Sequence, residues 1–408
     1  MKRVVVTGLG CVTPVGNNVN DFWDSIIHGR HGFANITRFD TSNMRVHIAA
    51  EVKNFDITEY MDKDEAKRMD LYAQYAVAAA TQAVEESGIV GSVESERLGV
   101  YIGSGIGGIS TFITGANALF TKGPQRISPY FIPMLIGNMG SSLVAIKYNA
   151  QGPNLPVVTA CATGTHAIGE AFRAIKHGYA DAIVAGGAEA SINPLGVGGF
   201  INCMALSTTD DPDSCSIPFD KRRNGFVMGE GAGVLVLEEY EHAVKRGAKI
   251  YCEISGYGNT CDAYHITAPN PEGTVSSKMI KQAMDEAGIT ADEKLYINPH
   301  GTSTPLNDKS ETLAIKKALG DMAYKVPISS IKSMTGHMLG AAGGVEAIAA
   351  IKALETGKIP PTIGYKEPDP DCDLDYVPNE MRECEIDKAL SLSLGFGGHN
   401  AGIAFKKI

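Results

Sequence analysis

Apolar and polar positions along the chain fall into two alternating kinds of segment. Short β-branched runs predict buried strands over 3–7, 98–102, 156–159, 182–185, 233–237, 295–298, 326–329 and 401–405. Longer Ala-rich stretches predict helices over 68–87, 165–177, 275–287, 309–319 and 344–356. Strands alternating with helices throughout imply an α/β fold with sheets buried on both faces. The run 359–373, rich in Pro and Asp, reads as a surface loop. The pattern also echoes itself. Residues 157–178 and 328–357 each run strand, tight turn, then a helix that closes on Gly178 or Gly357. One such unit per half suggests a duplicated fold with a site between the halves.

Composition adds bounds. The 408 residues are 44% hydrophobic and 20% charged, enough for a large core in a soluble globular protein. A formal net charge of −10 disfavours nucleic acid as a partner. Lys63, Lys67 and Arg68 form a local basic cluster, which the sequence alone reads as a solvated helix face. No apolar run is long enough to cross a bilayer, so no membrane span is expected. The start, Met1 to Gly8, mimics a charged leader, but its apolar stretch breaks at once and reads as a first strand. The eight cysteines contain no C-x-x-C pair, so neither zinc nor a disulfide framework is indicated and a reducing cytoplasm is expected.

Four segments carry candidate chemistry. Cys161 stands in Val157-Val158-Thr159-Ala160-Cys161-Ala162-Thr163-Gly164-Thr165, where a strand ends and a helix begins. A thiol at a helix N-terminus is expected to favour the thiolate, and its small neighbours allow close approach. The other seven cysteines are assigned to packing. His300, in Asn298-Pro299-His300-Gly301-Thr302-Ser303-Thr304, and His337, in Lys332-Ser333-Met334-Thr335-Gly336-His337, follow predicted strands in Gly- and Thr-containing loops. That is where α/β folds place ligands. Imidazole can donate to an oxygen that gains charge, and Lys332 adds a positive charge nearby. Gly395-Phe396-Gly397-Gly398 is a mobile aromatic hinge whose N–H can face an oxyanion. Gly103-Ser104-Gly105-Ile106-Gly107-Gly108 fits a dinucleotide-binding pattern, but no acidic residue occurs between Gly103 and Glu170, which rejects that reading.

Together these segments resemble the elongating β-ketoacyl-acyl-carrier-protein synthases across essentially the whole chain. Pro218-Phe219-Asp220-Lys221, Gly225 to Gly231 and Cys261-Asp262-Ala263-Tyr264-His265 match as well. The resemblance implies a thiolase-like five-layer αβαβα fold of two pseudo-repeats, 1–250 with the nucleophile and 251–408 with the histidines. It implies Cys161 as acyl acceptor, His300 and His337 as promoters of malonyl decarboxylation, and Lys332 as their electrostatic support. Phe396 would be the gate, and the N–H groups of Cys161 and Phe396 the oxyanion hole. Thr302, Thr304, Gly395 and Gly397 would contact substrate, and Ile106, Phe200 and a partner-contributed Phe131 would shape the acyl pocket. Lys67 and Arg68 would dock an acyl carrier protein, which reverses the solvated-face reading. The resemblance also implies a homodimer, no metal, and no cofactor beyond the phosphopantetheine on the carrier.

Pro299, Leu392, Leu394 and Met204 depart from the family pattern. The Leu392 departure removes an Asn that some relatives use for a monovalent cation. A polyketide ketosynthase and a non-catalytic chain-length partner are the alternatives; retention of Cys161 with both histidines argues against the second.

Overall fold

The computed structural model describes residues 1–290 and 293–408. Its main sheet contains β1 (Val4–Val12), β2 (Leu98–Gly103), β3 (Ala182–Glu189), β4 (Gly231–Glu239), β5 (Cys252–Cys261), β6 (Leu295–Asn298), β7 (Lys388–Gly395) and β8 (His399–Lys406). The strand order is β2-β3-β4-β1-β5-β8-β7-β6. Read outward from the centre, 1-4-3-2 on one side is matched by 5-8-7-6 on the other. Strand directions match too: β2/β3 and β6/β7 are parallel, and the remaining pairs are antiparallel. The halves join where Val4–Val6 pair with Ile254–Cys252 around Val5 and Glu253.

The duplication holds at single residues. Thr7 is the extra residue of a bulge in β1, and Ser255 is the extra residue of a bulge in β5. The helix after each first strand lies on a pair of glycines. For α1 (Leu71–Ser87) a Cβ at Gly8 or Gly10 would stand 2.1 or 2.0 Å from the carbonyl oxygens of Ala83 and Ala79. A later helix with the same role, Thr274–Ala287, leaves 2.2 and 1.9 Å at Gly256 and Gly258. Only glycine permits backbone to approach this closely.

Five layers result. α1 covers the β1–β4 half. α2 (Thr163–Lys176) and a second central helix, Ala342–Thr356, lie between the two halves and touch both. Naming the remaining elements in chain order, α3 is Thr274–Ala287, α4 is Pro305–Leu319 and α5 is Ala342–Thr356. α3 and α4 cover the far side of the β5–β8 half. α5 is buried on all sides except at Lys352, Glu355 and Thr356, as a helix between the two halves of the sheet must be.

Three expectations change. Residues 156–159 and 326–329 form no strands; their neighbourhoods add only single parallel bridges, Asn154 to Val100 and Ile328 to Ile297, at the outer edges of the halves. The first long helix begins at Leu71 rather than Arg68, because Asp70 caps it and a separate short helix occupies Lys63–Ala66. The run 359–373 is not all surface: Ile359 to Thr362 and Cys372 are buried.

Candidate active site

Cys161 sits in a one-turn helix, Ala160–Ala162, directly before α2. Ala160 takes φ +51°, a left-handed conformation that is costly for a residue with a Cβ. The strained turn presents the sulfur to a cavity of about 340 Å³. The same cavity is lined by His300, His337, Phe396, Phe200, Thr302, Thr304 and Gly395. The sulfur of the first half and both imidazoles of the second therefore meet in one space.

The electrostatics correct one expectation. Burial pushes the Cys161 thiol up to about 12. The charge of Lys332 and the N–H groups of Phe396 and Cys161 pull it back, while the Glu189 carboxylate adds to the rise; burial outweighs the lowering groups and favours the thiol at rest. The two N–H groups that ease the sulfur's charge are the pair expected to form the oxyanion hole.

His300 and His337 meet edge to face, with ring centroids 5.2 Å apart. Burial first, then the nearby Lys332 charge, holds both imidazoles well below their usual range, so both are neutral at neutral pH. Among the described residues, neither nitrogen of His337 has a hydrogen-bond partner, nor has Nδ1 of His300. Buried polar atoms left open in this way are poised for a ligand. The His337 loop is held by its neighbours: its N–H donates to Val227 O at 2.7 Å, and the Phe226 ring packs edge-on at 5.1 Å.

Lys332 lies behind the cavity and does not line it. Its ammonium donates to the His300 carbonyl at 2.6 Å and pairs with the buried carboxylate of Glu346. Thr302 and Thr304 join hydroxyls at 3.0 Å. Gly397 is outside the lining; its N–H donates to Ile266 O at 2.8 Å, pinning the Phe396 loop. Ile106 and Phe131 do not line the cavity. Ile106 is exposed, and the Phe131 ring fills the space over Gly115. Lys67 and Arg68 are exposed; Lys67 pairs with Asp64 at 2.6 Å and Arg68 stacks over Tyr130.

Models of the β-ketoacyl synthase N-terminal and C-terminal domains match residues 1–243 and 251–366. The chain belongs to the β-ketoacyl synthase family. The synthase is 53% identical to 3-oxoacyl-[acyl-carrier-protein] synthase 2 of Synechocystis sp. over 408 residues, covering 100% of this chain and 98% of that one. It is 51% identical to the protein of the same name from Staphylococcus aureus over 407 residues, with the same coverage. Among solved structures, the ishigamide ketosynthase/chain length factor superposes with TM-score 0.93 at 36% identity, covering 100% and 99% of the two chains. A type II polyketide ketosynthase in complex with its acyl-carrier protein superposes with TM-score 0.91 at 35% identity, with the same coverage.

Two groups at the synthase site escaped sequence reasoning. Glu311, buried on α4, accepts from the N–H of His300 at 2.6 Å and of Gly301 at 2.8 Å, fixing the His300 loop. Burial pushes its carboxyl up to about 7 against those two donors. Cys203, assigned to packing, is exposed and lines the cavity beside Met204; Cys261, also exposed, donates to Gly397 O. Leu392 and Leu394 belong to the hydrophobic core, and Leu394 also reaches the cavity wall.

Proposed function

We propose that this synthase elongates acyl chains in fatty acid synthesis by decarboxylative condensation, with Cys161 as nucleophile. The observation that carries the reading is the cavity shared by Cys161, His300, His337 and Phe396. In the first half-reaction the Cys161 sulfur attacks an acyl-carrier thioester. The thiol proton leaves with the departing pantetheine sulfur, and the N–H groups of Cys161 and Phe396 hold the transient oxyanion, each contributing ~3 kcal/mol. In the second, the neutral imidazoles of His300 and His337 donate to the malonyl thioester carbonyl. The C–CO₂ bond breaks, its electron pair becomes the enolate, and the enolate carbon attacks the thioester on Cys161. The sulfur leaves as a thiolate and takes a proton from water. The electrons of the new bond are those of the broken C–CO₂ bond, so the chemistry needs no redox cofactor. Lys332 acts through His300, as a positioning residue.

Acyl carrier protein is the proposed donor, with Lys67 and Arg68 as its basic contact. Their exposure supports this, and the Lys67 pair with Asp64 is a solvated one that is readily exchanged. A homodimer is proposed on exposed apolar residues of the segment 112–158, namely Phe112, Phe120, Ile132, Ile146, Leu155 and Val158, of which Leu155 bonds to the edge strand β2 through its N–H to Val100 O. A reducing cytoplasm is consistent with eight free cysteines. Among the described residues no helix is long and apolar enough to cross a membrane. Incubation with acyl- and malonyl-carrier proteins, followed by mass spectrometry, tests the reading. A two-carbon-longer β-ketoacyl product and an acyl group on Cys161 support it; an acyl group elsewhere, or none, refutes it.

A further inference from the structure

The two halves contain two turns of the same build. The turn before α2 places Ala160 at φ +51° and leads into Cys161; the turn before α5 places Leu339 at φ +47° and leads into Gly340. The strands beside them end at equivalent positions. β3 starts opposite Leu98 and β7 opposite Leu295, and each runs eight residues, so Glu189 corresponds to Gly395.

At Gly395 an added Cβ would lie 2.8 Å from Thr159 O and 3.3 Å from Cys161 N. The absent side chain thus leaves the Cys161 N–H open to the cavity. At Glu189 the side chain is present and turns into the second turn. Its Oε2 accepts from Gly340 N at 3.2 Å and Gly105 N at 2.9 Å. Its Oε1 accepts from the hydroxyls of Ser104 at 3.1 Å and Ser191 at 2.9 Å. Glu189 is fully buried, and no cation is among these four partners. A lone carboxylate in such a place would be expelled by its desolvation cost unless the donors were built around it.

We propose that Glu189 is a positioning residue: its carboxylate fills in the second half the place that the reaction's oxyanion takes at Cys161 in the first, and so locks the Cys161 turn. The coupling runs through backbone contacts. A Cβ at Gly164 of α2 would stand 2.8 Å from Gly344 N and 3.0 Å from Gly340 O, and one at Gly105 would stand 3.3 Å from Ala160 O. Gly340 and Gly105, both held by Glu189, thereby fix the two ends of the turn that carries Cys161. The inference rests on Cys161 being the nucleophile.

The test uses the full chain. Glu189→Ala leaves four donors around a space of carboxylate size. Its kcat should fall roughly a hundredfold, with KM little changed. Sodium formate should restore kcat in a saturable way and raise the unfolding midpoint of the variant but not of the parent; chloride at equal ionic strength should do neither. Glu189→Gln keeps the shape and one acceptor oxygen for the two backbone N–H groups, but loses the charge and sets an amide NH₂ against the Ser104 and Ser191 hydroxyls, which must then turn from donors to acceptors; it should lose roughly tenfold and gain nothing from formate. Parental kcat in either variant overturns the proposal. So does a loss in Glu189→Ala that formate leaves unchanged in both rate and midpoint. If Glu189→Ala does not accumulate as folded protein, Glu189→Gln alone decides. Mass spectrometry of the parent after acyl transfer separates the two readings: no acyl group on Cys161 refutes the nucleophile assignment, whatever the Glu189 variants do.

Discussion

Cys161 and Gly340 occupy the same place in two copies of one supersecondary unit, yet Cys161 lines the active-site cavity and Gly340 does not. The first half supplies the sulfur and an open N–H. The second half supplies both imidazoles, and its own turn is closed by a carboxylate. Duplication here did not produce two sites. On the proposed reading, one copy is the reacting wall, and the other holds the decarboxylating groups and braces the first. The division of labour is physical, because the two chemical steps need different groups: one needs a nucleophile, the other needs neutral donors.

The sharpest way to break that division is to disable each wall alone. Cys161→Ala should abolish condensation, by roughly a thousandfold or more, while malonyl decarboxylation measured as CO₂ release survives. His337→Ala should do the reverse: acyl groups still load on Cys161, and decarboxylation falls by roughly a hundredfold or more. Loss of both steps in both variants would show that the walls do not act separately. Next in size is Gly395→Ala, which puts a methyl over the Cys161 N–H. Acyl transfer should slow roughly a hundredfold with the fold intact by circular dichroism.

Titration sharpens the contrast further. With the thiol pushed up to about 12, alkylation of Cys161 by iodoacetamide should climb about tenfold per pH unit from 7 to 10 without a plateau. Decarboxylation should stay nearly flat from pH 6 to 8, because both imidazoles are already neutral there. Glu311 gives a stability signature. Its folded carboxyl, at about 7, lies above the ordinary glutamate value of 4.5, so the folded state binds the proton more tightly. Stability is then lost as pH rises from 4.5 toward 7, by on the order of 3 kcal/mol. Glu311→Gln should flatten that decline in urea melts. The smallest effect is expected at Lys67→Ala with Arg68→Ala: KM for the carrier protein rises several-fold at low salt and the difference fades at high salt, with kcat unchanged.

Much of this was legible in the residue pattern. Cys161, His300, His337 and Phe396 each sit where an apolar run gives way to small residues, and four such breaks in one chain carry a joint signal. The helices α2 to α5 were visible for the same reason, since Ala-rich runs of 14 or 15 residues leave little choice. What escaped depends on partners far away in sequence. Residues 156–159 look like a strand because their side chains are β-branched, but only Asn154 finds a bridge to Val100. The resting state of Cys161 was misjudged because a helix N-terminus is local, whereas burial is a property of the whole fold. Glu189 and Glu311 carry no local mark. Their roles appear only when the loops they hold, 85 positions and 11 positions distant, come into place.

The shared central layer makes neither half self-sufficient. α2 and α5 each touch both the β1–β4 half and the β5–β8 half of the sheet, so a fragment ending near Gly247 would leave the inner face of its own half stripped of α5. Cutting the exposed link between Lys245 and Cys252 should therefore yield two pieces that fail singly and recover activity when mixed, assembling as if they were subunits of a heterodimer.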